Sequence, residues 1–319
     1  MKWSFQKYYG ALRRFKPAYV IFNLSHRKAL KKSKSLYAKY GLKKSVYSPI
    51  SSADFAHLPM DLPPLDGPNA STFLNNLNCK EEEQLALKNW QEKGFIILRK
   101  HFSEALIQEA NKDVGEMMSS GKIDYNYTGK KIMFAYRNSK VLGKIAKDPT
   151  ILRYLELIHQ RNFKPFQSIN FIKSSEQRAH SDSVHMTTYP LGNMAAAWTA
   201  FEEIGDDQGP LKYFPGSHRL PYLLNEAYDH GGGKWMLGEN AYYNYEEAIQ
   251  ALIKQEGLKE EVLHTQAGDV FIWHANLIHG ARKMNNQQLT RKSMVVHYFA
   301  DDVICYHELT QRPAILPED

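Results

Sequence analysis

The sequence predicts an α+β protein in which helices come first and strands follow, and two observations carry that reading. Between about residues 80 and 160 the chain reads as capped helices, whereas from Phe166 onward it falls into short strand-like runs divided by turn signals. Helices segregated from strands argue against an alternating parallel sheet. Many short, regularly spaced strands suggest a sandwich or barrel, here with a double-stranded β-helix (jelly-roll or cupin-like) core flanked by N-terminal helices.

Each element has a local cause. Ser25 to Tyr40 is expected to be a helix, with Ser25 as N-cap and Gly41 as stop, although its apolar face is thin. Pro59, Pro63, Pro64, Gly67 and Pro68 mark residues 58–70 as a linker between a basic N-terminal segment (1–57) and the main domain (71–319). Lys80 to Lys93 reads as a helix ended by Gly94, and Phe95 to Leu98 as a strand. Ser103 is expected to cap a helix running to about Ser119, and Thr150 one spanning Ile151 to His159. The later strands are placed at Phe166–Ile172, Met194–Phe201, Leu211–Phe214, Asp269–His274 and Lys292–Phe299. Residues 219–262, with Gly231-Gly232-Gly233 and a tyrosine-rich run at 242–245, form an insertion between strands that reads as a lid.

Charge is distributed unevenly. The net charge is +7, yet residues 1–53 hold 13 Lys or Arg and no acid, which leaves 28 bases against 34 acids in the remainder. Such a basic arm suits anionic lipid, nucleic acid or an acidic partner, or packs on the body with its charges solvated. An acid-free basic N-terminus also resembles an organelle transit peptide, but its length and tyrosines argue against that reading. No run of 18 apolar residues is present, and no signal-peptide pattern. Cys79 and Cys305 are the only cysteines, too few for a disulfide framework or a cysteine-type zinc site, which fits a reducing compartment.

His180-Ser181-Asp182 is the sharpest local feature. In a strand, residues i and i+2 project from one face, so an imidazole and a carboxylate can reach one metal. Alone the motif is weak, because a chain with 13 histidines readily contains a chance match in which His180 is an ordinary surface histidine. A third ligand from a distant strand would complete two histidines and a carboxylate on one face of an octahedron, the arrangement of non-heme Fe(II) oxygenases. His274 and His279 compete for that position; five residues apart, they cannot both face the metal from one strand. His279 is favoured, since Gly280 after it permits close approach and Arg291 follows at twelve residues; His274 then belongs to the core. A buried Arg291 would clamp the distal carboxylate of a 2-oxo diacid with its planar fork. Pro215-Gly216-Ser217-His218 reads as a structural turn rather than a catalytic element.

Over about residues 85–310 the sequence resembles the phytanoyl-CoA dioxygenase family of Fe(II)/2-oxoglutarate oxygenases. The matching stretches are Ile151-Leu152-Arg153-Tyr154-Leu155, His180-Ser181-Asp182, Ala197-Trp198-Thr199-Ala200, Gly209-Pro210-Leu211, Pro215-Gly216-Ser217-His218-Arg219, Gly268-Asp269, His279-Gly280 and Arg291-Lys292. The resemblance implies a double-stranded β-helix with iron on His180, Asp182 and His279, Arg291 on the 2-oxoglutarate carboxylate and Trp198 beside the co-substrate. Many members carry Ser or Thr two residues after the distal histidine, where this chain has Ala281; Gln167 is the candidate to supply the missing hydrogen bond.

The expected function is hydroxylation of an unactivated C–H bond in a small-molecule or lipid- or glycan-linked substrate. Fe(II), 2-oxoglutarate and O2 are required, with ascorbate as an optional reductant, and succinate and CO2 are released. His185, Met186 and Tyr189 are expected to line the substrate pocket, or else to pack in the barrel mouth. The substrate is expected to be anionic or membrane-proximal, with no specific nucleic-acid binding. The expected location is cytoplasmic, with residues 1–53 in peripheral contact with the anionic inner face of a membrane. Two other classes compete. One is a cupin-like isomerase or hydrolase that needs neither Arg291 nor 2-oxoglutarate. The other is a non-catalytic or metal-binding module recruited to anionic surfaces by its basic segment.

Overall fold

In the computed structural model of the 319-residue chain, residues 14–121, 124–125, 131–228, 232–233 and 235–315 are described. Helices α1 (Lys16–Ser25), α2 (Lys31–Lys39), α3 (Ala70–Asn76), α4 (Glu81–Lys93), α5 (Glu104–Ser119), α6 (Lys140–Ala146), α7 (Pro149–His159) and α8 (Ala241–Gln255) surround three antiparallel sheets. The largest sheet contains β1 (Phe95–Leu98), β2 (Asp124–Tyr125), β3 (Lys131–Met133), β4 (Phe163–Phe171), β6 (Met194–Ala200), β9 (Val270–His274) and β11 (Ser293–Ala300), in the order β1-β9-β6-β11-β4-β3-β2. A second sheet has the order β10 (His279–Ala281), β7 (Leu211–Tyr213), β8 (Glu261–Leu263). The third runs β13 (Arg312–Pro313), β12 (Ile304–His307), β5 (Thr187–Tyr189).

The pleat divides the core in two. On β6, Ala196, Trp198 and Ala200 point into the sandwich with Phe271 and Trp273 of β9 and Val295 of β11, where they meet Leu211, Tyr213 and Leu263 of the second sheet. Ala195, Ala197, Val270, Ile272, Met294 and Val296 point the other way, onto Leu87 and Trp90 of α4 and the apolar faces of α5–α7. Both faces are covered, which is why every residue of Met194–Ala200 is buried and all but Thr199 are apolar.

Several local expectations need correction. Asp148, not Thr150, caps α7: its carboxylate accepts from the Thr150 and Ile151 amides, both at 3.0 Å, and Pro149 occupies the first turn. The helix expected over Ser25–Tyr40 is two helices. Ser25 ends α1, its hydroxyl donating to the Phe22 carbonyl at 2.7 Å, and buried Leu30 anchors the turn before α2. Strand β4 begins three residues earlier than expected and contains Pro165, tolerated because the register with β11 slips there.

The described part of the basic segment and the proline-rich stretch both pack on the body. Leu30, Tyr37, Leu42, Val46, Ile50 and Phe55 form one cluster with Tyr189, Ile304 and Tyr306 of the third sheet. Leu65 is buried in the helix-side core, and the Asp66 carboxylate accepts from His274 Nε2 at 3.0 Å. Residues 58–70 are therefore a packed strap rather than a free spacer.

Gly268 shapes the entry to β9. Its φ is +88°, and an added Cβ would overlap the Phe102 carbonyl oxygen. Gly268→Ala is expected to lose about 2 kcal/mol or more of stability, from left-handed strain plus the clash, read as a lowered denaturation midpoint.

Candidate metal centre

The site begins with a backbone contact. His180 and His279 form an isolated antiparallel bridge, each amide donating to the other's carbonyl at 2.8 Å. This joins the chain after β4 to β10 and sets the two imidazoles with ring centroids 4.6 Å apart. Gly280 allows it, because a Cβ there would lie 2.9 Å from the Gln177 carbonyl oxygen. Ser181 is extended, and Asp182 starts a short 3-10 turn, so the carboxylate returns to the side of His180.

His180, Asp182 and His279 each offer one ligand atom, and these atoms lie within 4.8 Å of one another; all three residues are buried. His180 Nδ1 meets the Arg178 carbonyl at 2.8 Å, and His279 Nδ1 meets that of Leu277 at 2.9 Å. A carbonyl accepts only from a protonated nitrogen, so each Nε2 presents its lone pair to the centre. His279 Nε2 stands 3.7 Å from Asp182 Oδ1. Asp182 Oδ2 accepts the Trp273 indole N–H at 2.8 Å, which leaves Oδ1 toward the cavity. Burial works against the Asp182 charge, but the His279 and His297 imidazoles outweigh it and hold the carboxyl well below the usual range. Burial, helped by neighbouring His279, holds His180 neutral. An ionised Asp182 beside a neutral His180 suits a divalent cation, which binds carboxylates and unprotonated imidazole nitrogens.

The second half of the site is an unmatched cation. Arg291 is buried over the Trp198 ring, 5.2 Å from its centroid, and 6.0 Å from that of Phe171. Burial alone pushes its pKa down to about 10, so it stays charged at neutral pH. Arg291 Nε and Trp198 Nε1 are both buried without a hydrogen-bond partner among the described residues. A desolvated guanidinium with an unmet donor calls for an anion. Gln167 lies on β4 opposite His297, on the face shared with Ile169 and Phe171.

Of the residues expected around the substrate, only His185 stands at the centre, its ring 6.0 Å from that of His180. Tyr189 instead stacks on Phe55 at 4.5 Å beneath the N-terminal segment, and its hydroxyl donates to the Pro59 carbonyl. Met186 packs against the helix-side core. Both were misplaced because a tight turn and a change of sheet separate them from the metal motif. His274 is committed elsewhere: Nδ1 accepts from the Asn276 amide at 2.9 Å while Nε2 donates to Asp66. His218 is likewise structural, buried with its ring 5.4 Å from that of His274.

Four participants escape the motif reading. Trp273 orients Asp182, and strand alternation from Phe271 signals its inward direction. His297 lies with Nε2 3.7 Å from Asp182 Oδ2. Lys131 on β3 is close enough for the Asp182 charge to raise its pKa against the larger lowering by burial, and its amine donates to Gln177 Oε1 at 3.1 Å. Tyr245 of α8 uses its hydroxyl to accept from the Ser181 amide at 2.8 Å, tying the 219–262 insertion to the residue between two of the candidate ligands.

Fold and donor set together are those of a facial-triad non-heme iron oxygenase. The family model described as phytanoyl-CoA dioxygenase (PhyH) matches residues 90–293. The chain is 25% identical over 255 residues to human peroxisomal phytanoyl-CoA dioxygenase, covering 72% of this chain and 71% of the relative. It is 26% identical over 238 residues to the Bos taurus protein of that name, covering 67% of each. Among solved structures, the non-heme α-ketoglutarate-dependent carbocyclase SnoK from nogalamycin biosynthesis superposes with TM-score 0.57 at 16% identity, covering 72% of this chain and 87% of SnoK. EctD from S. alaskensis, solved with 2-oxoglutarate and 5-hydroxyectoine, gives 0.52 at 18% identity, covering 71% and 78%. These two likenesses establish the fold. The chain belongs to the phytanoyl-CoA dioxygenase family, and is thus an enzyme of the 2-oxoglutarate-dependent non-heme iron oxygenase kind.

Burial lowers the pKa of His159, His185, His218 and His307 to about 3 in each case. In the unfolded chain these groups take up protons near pH 6.5, while the folded chain refuses them until far lower. Stability is therefore expected to be intact above about pH 6.5 and to fall as the pH drops toward 3, by up to about 1.4 kcal/mol per histidine per pH unit. Urea midpoints measured from pH 8 down to 5 check this; a flat profile contradicts it.

Proposed function

We propose that His180, Asp182 and His279 hold Fe(II), and that the enzyme hydroxylates an unactivated C–H bond of a small-molecule or lipid- or glycan-linked substrate, releasing succinate and CO2. The observation that carries the reading is the pairing of a converged His-Asp-His donor set with the buried guanidinium of Arg291, whose Nε has no hydrogen-bond partner among the described residues. The donor set fits a divalent ion: both imidazoles aim Nε2 inward and the carboxylate keeps one oxygen free, so these three side chains would hold the ion. When bound, iron and 2-oxoglutarate supply the oxidising power for the reaction with O2.

The chain's own groups bind and orient. Arg291 receives the distal carboxylate of 2-oxoglutarate as a two-pronged donor, and Trp198 walls that pocket while supplying its free N–H. Lys131 adds positive charge on the same inner surface, and Gln167, on the β4 face shared with Ile169 and Phe171, is the candidate for the hydrogen bond that Ala281 cannot make. The substrate side is polar and aromatic. Tyr242 of the insertion stacks on His185 at 5.2 Å and accepts from Gln177, and the His307 ring lies 6.1 Å from His185. That wall supports the insertion as a determinant of specificity, and a substrate that carries hydrogen-bonding groups near the oxidised carbon.

With Fe(II), ascorbate and 2-oxoglutarate, the purified protein is expected to release succinate, faster once its substrate is added. Asp182→Ala is expected to abolish turnover and most iron affinity; wild-type succinate release by this variant contradicts the assignment. Arg291→Gln should raise the KM for 2-oxoglutarate at least about 30-fold, the loss typical of a truncated buried charge pair, with iron affinity retained.

A further inference from the structure

The oxygenase reading leaves the N-terminal face unexplained. Helix α1 turns Tyr19 and Asn23 inward and leaves Ile21 72% exposed, Leu24 48% and Phe22 41%. Phe15, just before the helix, is 40% exposed. The insertion extends the patch: the Lys16 amide donates to the Trp235 carbonyl at 2.9 Å, Phe15 bridges to Met236, and the Leu237 amide donates to Arg14. Trp235, 59% exposed, is thus fixed beside Phe15 although they are distant in sequence. Four large apolar side chains and an indole left exposed on and beside one short helix are uncommon on a protein facing only water.

Basic residues follow this patch directly in the chain, and beside it Arg14 pairs with Glu239. Arg27, Lys28, Lys31 and Lys34 follow α1, all exposed, and no acid occurs in residues 1–53. Asp54 and Asp302 answer Lys44 and Lys39, further along the segment. The rest of the chain is net negative, with 28 bases against 34 acids, so an anionic plane attracts this face and repels the remainder. A nucleic acid would satisfy the cations but offer nothing to Ile21 and Leu24. A bilayer satisfies both: headgroups meet the cations, and the acyl boundary takes aliphatic side chains with the indole at the interface.

We propose that the face formed by α1, the Arg27–Lys34 run and Trp235 is a docking surface for an anionic lipid bilayer. Binding combines shallow insertion of Phe15, Ile21, Phe22, Leu24 and Trp235 with headgroup attraction worth about fivefold in partition per cation near the surface. Among the described residues no helix is long and apolar enough to cross a membrane, so the contact is made in the plane of the interface.

The test is co-sedimentation of the full chain with vesicles of phosphatidylcholine alone and of phosphatidylcholine containing about 30% phosphatidylglycerol, at about 50 and 500 mM salt. The protein is expected to partition at least tenfold more strongly onto the anionic vesicles at low salt, and to weaken at high salt. Ile21→Asp with Leu24→Asp should cut that partition about tenfold, as should Arg27→Glu with Lys28→Glu, and 2-oxoglutarate turnover should be unchanged in both. Loss in the charge variant alone would mean adsorption without insertion and overturn the proposal. So would equal binding to both vesicle types, tighter binding to a short DNA duplex, or a dimer in light scattering that Ile21→Asp dissolves. None of these outcomes depends on whether the enzyme turns over.

Discussion

Two reciprocal hydrogen bonds between the backbones of His180 and His279, each 2.8 Å, are the constraint on which the candidate site rests. Residues 99 positions apart become neighbours whose side chains leave in the same direction. Most of the local architecture serves this bridge. Gly280 lets β10 approach residues 177–179, Tyr245 satisfies the Ser181 amide behind it, and the Arg178 and Leu277 carbonyls fix both imidazole tautomers. A metal ion placed there would meet donors already aimed, and so would need little reorganisation.

The interior of the sandwich is polarised. At one end sits the carboxylate Asp182, held ionised by surrounding imidazoles and the Trp273 indole. Elsewhere in it sits Arg291, charged, buried against aromatic rings and with its Nε unbonded among the described residues. A fold maximising its own stability would neutralise or remove such a guanidinium, since burying an unmatched charge is costly. Its persistence makes sense if a diacid completes it, in which case binding contributes stability to the fold as well as geometry to the reaction.

The N-terminal segment and the 219–262 insertion, apart in sequence, form continuous structure. The insertion reaches the candidate metal centre through Tyr242 and Tyr245, and reaches α1 through Trp235 and Leu237. One segment therefore touches both the candidate active site and the exposed apolar face. This connection arises from packing rather than from any motif.

The sequence by itself determined the fold class, the order of helices and strands and the candidate ligands, because these depend on periodicity, capping chemistry and residue type. His180, Asp182, His279 and Arg291 were legible because few other residues can perform their chemistry. The parity of strand positions separated His279 from His274. Direction and company came from packing between distant parts of the chain. Tyr189 and Met186 follow the metal motif closely, yet the turn at 182–184 and the change of sheet send them to other cores. Trp273, His297 and Lys131 join the site from strands carrying no motif. The cap of α7 and the break after Ser25 turned on hydrogen bonds that several nearby residues could have made. Likewise the strap at 58–70 has a linker's composition, and only the contacts of Leu65 and Asp66 reveal that it is packed. Residue type limits which interactions a side chain can make; long-range contacts, absent from any local window, select which of them it does make.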